Sequence, residues 1–204
     1  VRILATIISI IFHPLLLTTY LVSLLGFYFP SLLMIAPEDF KIILAFVFCF
    51  TFLLPAVNIL VFRLFGTISS YTLDTRRERI VPVLAISLIY VVTSFLFYNK
   101  LRFSSNFNHL ILLVTVLVVV SSLLTLFYKV SIHSLGVWGG IGIILPLNKA
   151  LEQSYLLWPT AIALVIAGLV MSSRLYLNSH TPRQVLVGSL VGFSIGFLGI
   201  IFLF

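Results

Sequence analysis

The chain has 204 residues, of which 61% are hydrophobic and only 8% charged, with a formal net charge of +7. That balance excludes a soluble domain and points to an integral membrane protein of a single domain spanning 1–204. Nucleic acid is excluded as a partner by the lack of any basic tract or soluble module to hold it, and Cys49, the lone cysteine, excludes a disulfide framework and a thiolate metal site.

A membrane-crossing helix needs about 20 predominantly apolar residues. In chain order the predicted spans are roughly 3–28, 41–65, 80–98, 108–128, a shorter one near 132–147, one near 155–172, and 183–203. Runs such as Ile111-Leu112-Leu113-Val114 do not alternate polar with apolar, so a β-barrel is excluded. The expected fold is all-α: a polytopic bundle of six to seven helices, six if 132–147 is re-entrant. The first run is too long for a cleavable signal peptide and is counted as a span. His13, inside it, is an intramembrane ionisable residue and so a functional candidate. The blander reading is preferred: a neutral imidazole beside the Pro14 kink, bonding a freed carbonyl. His109 opens a later span and is expected at the interface.

Polar residues gather at three helix ends: Arg76-Arg77-Glu78-Arg79, Ser131-Ile132-His133, and Ser173-Arg174 with His180. Two spans separate each cluster from the next, so all three fall on one membrane face and can converge. Alone, the first cluster reads more readily as a basic patch touching lipid phosphates. Gly136 and Gly140, like Gly188, Gly192 and Gly196, stand four apart, the spacing that lets membrane helices approach closely. If those two faces pack together, His133 and His180 lie side by side. Thr181-Pro182 reads as a helix start, with Thr as N-cap and Pro at the first helical position. His180 then stands at a helix N-terminus, which favours an anion, with Gln184 within reach of its imidazole.

These residues resemble the type 2 phosphatidic acid phosphatase superfamily. Its third motif is Ser-Arg, five residues, His, three residues, Asp. Ser173, Arg174 and His180 match it, and Gln184 stands where Asp is expected. Of the second motif, Pro-Ser-Gly-His, the stretch Val130-Ser131-Ile132-His133 keeps Ser and His. The first motif, Lys, six residues, Arg-Pro, is the faintest: with Arg79 as its Arg, Thr72 takes the Lys position and Ile80 the Pro position. The motif-bearing part is about 73–184.

The resemblance implies a metal-independent lipid phosphatase working through a phosphohistidine, with no cofactor. His180 would be the nucleophile and His133 the general acid. Arg174, Arg79 and Arg76, with Ser131 and Ser173, would hold the phosphoryl oxygens. Gln184 would orient His180, with Asp74 or Glu78 as a possible carboxylate in the missing Asp's stead. The implied partners are membrane lipids and a phospholipid or polyprenyl phosphate substrate. Two alternatives stay open: a degenerate member that binds lipid phosphate without turnover, and a transporter. Positive charges on the two faces, once Arg76, Arg79 and Arg174 are set aside, stand at five against four. The resemblance, with its bacterial inner-membrane members, implies a periplasm-facing site.

Overall fold

Proline 14 interrupts the first apolar run, because it has no N–H to give and its ring clashes with the preceding turn. In the computed structural model, which describes residues 1–70, 75–101, 103–150 and 156–204, that run is two helices, α1 (Arg2–Ile11) and α2 (Pro14–Tyr28). They meet at 58°. His13 is the N-cap of α2 in extended conformation, with Pro14 at the first helical position. A short turn, α3 (Pro30–Leu33), follows.

The next span runs through α4 (Phe40–Phe48), a π-helical turn at Cys49–Leu53, and α5 (Leu54–Leu64). Thr75 caps α6 (Arg76–Leu96), accepting a hydrogen bond from Glu78 N–H, and a second π-helical turn extends it through Leu101. Ser104 caps α7 (Ser105–Phe127) in the same way. Then come α8 (Ile132–Ala150), α9 (Leu157–Tyr176) and α10 (Pro182–Leu203). Every regular element among the described residues is helical. Five of these spans are long and apolar enough to cross a membrane, and a sixth if α1 and α2 count as one. The helix at 132–147, expected to be short, is short. The fold is a polytopic all-α bundle.

What positions the site is the seam between α8 and α10. A Cβ on Gly188 would stand 2.6 Å from the Ser131 carbonyl, and Cβ atoms on Gly192 and Gly196 would run into the Leu135 and Gly139 carbonyls. These glycines let two backbones touch. On the α8 side the expectation is corrected. Gly142 faces α10, 2.5 Å from the Phe193 carbonyl by the same measure, whereas Gly139 faces Leu117 of α7 and gives α10 only its carbonyl, Gly136 faces Leu17 of α2 and Gly140 faces open space. The Ser131 N–H also donates to the Gln184 carbonyl at 3.3 Å, tying the two helix starts together.

Candidate active site

The turn from α9 to α10 builds the centre of the site. Arg174 lies in the last turn of α9, and Asn178 takes a left-handed φ of 54° that turns the chain towards α10. Thr181 then opens α10 with a complete capping box: its hydroxyl accepts from Gln184 N–H, and Gln184 Oε1 accepts from Thr181 N–H. Because that atom accepts from a backbone amide, it is the amide oxygen and not the nitrogen. His180 Nδ1 lies 3.1 Å from the same oxygen and must therefore be the donor. The neutral imidazole is left with its lone pair on Nε2. Arg79 Nη1 approaches that nitrogen at 3.4 Å.

His180 and Arg79 are each only 6% exposed. Burial pushes the His180 imidazole down from its ordinary value to about 4, and the Arg79 guanidinium beside it adds to the shift. The hydrogen bond to Gln184 opposes this, while Arg174 and Lys129 reinforce it. Cations on several sides and the loss of water both penalise the imidazolium. The ring is held in its neutral form.

Arg79, His133, Arg174 and His180 line one cavity, drawn from α6, α8, α9 and the turn before α10. The rest of its wall is mostly apolar, from Leu15, Ile59, Val83, Ile86 and Val118, with His13, Tyr90 and Ser121 among them. His133 Nε2 lies 3.1 Å from the Ser9 carbonyl and donates to it, so Nδ1 is its second nitrogen for chemistry. The cavity shares Pro14, Val118, Ser121 and Ile132 with a second apolar cavity, which in turn shares Leu17, Leu21, Gly136 and Gly140 with a third.

Other expected contacts lie outside this cavity's lining. Arg76 donates to the Leu126 carbonyl, tying the start of α6 to the end of α7. Ser131 Oγ accepts from Ser134 N–H and pairs with Ser134 Oγ at 2.9 Å, capping α8. Ser173 Oγ donates back to the Leu169 carbonyl at 2.7 Å. Glu78 accepts from Ser69 and Thr75, so its carboxylate serves the start of α6 rather than His180. Thr72 and Asp74 lie outside the described residues. His109 sits against Phe204, 5.8 Å between ring centroids, away from the cavity.

His13 requires a correction. Its Nδ1 accepts from Leu15 N–H at 3.4 Å instead of donating to a freed carbonyl, and its ring lines the cavity. The sequence signal was present in its intramembrane position; nothing marked the Ser9 carbonyl.

Fold and site together define a pocket of histidine and arginine at one end of a polytopic helix bundle, with mostly apolar residues along the rest of its wall. Residues 125–204 match the family model of the PAP2 superfamily, in agreement with the resemblance carried by the motifs. The matched part holds His133, Arg174, His180 and Gln184; Arg79 and His13 precede it. That family supports phosphatase-type chemistry on phosphate esters. Comparisons with curated proteins and with solved structures find no match.

Proposed function

We propose that the protein is a membrane lipid phosphatase, hydrolysing phospholipid or polyprenyl phosphate monoesters or diphosphates through a phosphohistidine. The observation that carries this is the state of His180: neutral, with Nδ1 held by Gln184 and Nε2 facing Arg79 in a cavity shared with His133 and Arg174. A phosphoryl group entering there draws the Arg79 donor onto its oxygens and so uncovers Nε2. Arginine suits this because its planar fork binds phosphate bidentately.

A substrate entering with a protonated phosphate leaves that proton on the free Nδ1 of His133; His180 Nε2 then attacks phosphorus as the ester P–O bond breaks, and His133 passes the proton to the departing oxygen. Water, giving its proton back to His133, then attacks phosphorus. The P–N bond breaks, inorganic phosphate leaves and His180 returns to neutral. Positive charge for both steps comes from guanidinium groups, so the reaction needs no metal. The apolar wall favours a lipid over a soluble phosphate ester. By resemblance the protein belongs in a bacterial inner membrane, with the site facing the periplasm and its substrate arriving sideways from the bilayer.

One observation favours a second reading, a lipid phosphate binder without turnover. Gln184 gives His180 an acceptor but no charge, and in a serine-protease triad the comparable Asp-to-Asn change costs about 10⁴ in rate. Phosphate release from a panel of lipid phosphates, with and without chelator and beside His180→Ala, separates the two. Chelator-resistant turnover abolished by His180→Ala is expected. Binding of lipid phosphate with no release on any substrate establishes the binder instead.

A further inference from the structure

We propose that His13 is a third histidine of the phosphate site, donating its Nε2–H to the phosphoryl oxygens of the substrate; this rests on the lipid phosphate reading above. The tautomer follows from its place in the fold. Nδ1 accepts from Leu15 N–H at the start of α2, so in the neutral ring the proton is on Nε2. With Nδ1 turned back to the α2 backbone, the Nε2 edge is the one left for the cavity that His13 lines with Arg79, His133, Arg174 and His180. No described residue takes that proton.

The neighbouring ring makes this donor matter. His13 and His133 lie edge to face, 5.4 Å between centroids at 84°. The His133 Nε2–H goes to the Ser9 carbonyl of α1. One broken span thus does two things: it holds the His133 ring, and it supplies a second imidazole whose N–H is available to an anion. Helix capping explains only one of the two His13 nitrogens. Asn, Asp, Ser or Thr caps a helix well without placing an imidazole in the cavity.

The test uses that difference. His13→Asn keeps an oxygen to accept Leu15 N–H and removes the Nε2 donor, whereas His13→Ala removes both. Orthovanadate serves as the phosphate mimic, its binding to the purified full chain in detergent measured by protection against thermal unfolding. His13→Asn is expected to melt close to the wild type and bind vanadate roughly tenfold more weakly, the loss of one hydrogen bond to a charged group. Its kcat/KM on a lipid phosphate falls by about the same factor. Vanadate affinity within about twofold of wild type in His13→Asn, or no vanadate binding by the wild type, overturns the proposal. A wild type that binds vanadate but releases no phosphate refutes hydrolysis, yet the vanadate comparison still decides the role of His13. Should neither variant fold, carbethoxylation of wild-type His13, read by mass spectrometry, replaces them. Protection by vanadate supports the contact, and unchanged modification overturns it.

Discussion

Gln184 carries two duties with one oxygen: it closes the α10 capping box and fixes the His180 tautomer. Replacing it by Glu keeps the size and both accepted hydrogen bonds but adds a charge. A carboxylate beside the imidazole stabilises its positive form, raising the His180 pKa from its depressed value of about 4. The nucleophile must be neutral, so the acid limb of kcat/KM moves to higher pH in Gln184→Glu. Comparing the two enzymes on one substrate cancels the substrate's own ionisation. The same charge favours the cationic phosphohistidine, so kcat at neutral pH should rise, by up to about 10⁴ on the serine-protease precedent. Superimposable pH profiles would show that Gln184 acts only as a cap. Gln184→Leu, which loses both acceptor roles, should lower kcat and the melting temperature together. A capping contact alone is worth about 1 kcal/mol.

Among the elements, the α8–α10 seam sets the spacing of the motifs. Gly192→Ala drives a methyl group into the Leu135 carbonyl, and backbone cannot give way as a flexible side chain can. Overpacking of this kind costs about 1–3 kcal/mol. Gly168→Ala in α9 is the control: a Cβ there meets open space, and Ala is favoured over Gly inside a helix by about 0.5–1 kcal/mol. Thermal unfolding in detergent should drop for the first and hold or rise for the second, and phosphate release should fall only for the first. Equal melting temperatures would mean that the seam is looser than described. The α10 side of this seam was legible, because Gly188, Gly192 and Gly196 form one stripe. The α8 side was not. Gly136, Gly139, Gly140 and Gly142 crowd together there, and helical spacing alone assigns such a cluster to more than one face.

Across the whole molecule, the convergence of Arg79 with His133 followed from counting spans, since α6 and α7 return the chain to one side; that of His133 with Arg174 and His180 rested on taking 132–147 as a crossing, and α8 is shorter than the five full spans. The share of α1 and α2 in the site could not be counted that way. It depends on the break at His13-Pro14 and on contacts made across more than a hundred residues, which no local pattern encodes. Beside the same break, a series of apolar cavities leads from the pocket of histidine and arginine past Leu17 and Leu21 to Gly140. If a lipid chain lies there, its length should matter, and Gly140 is the place to ask. A side chain at 140 enters open space between α2 and α8, so Gly140→Leu fills the passage without pushing the helices apart. Turnover of a long-chain lipid phosphate should then fall roughly tenfold, the effect of about 1.4 kcal/mol of crowding, while a short soluble ester is processed almost as before. The ratio of the two kcat/KM values isolates the effect from any loss of folded protein, which lowers both alike. Equal losses on both substrates would place the lipid chain elsewhere in the bundle, against the lipid-exposed flanks of α6 or α10 instead of the passage beside α2.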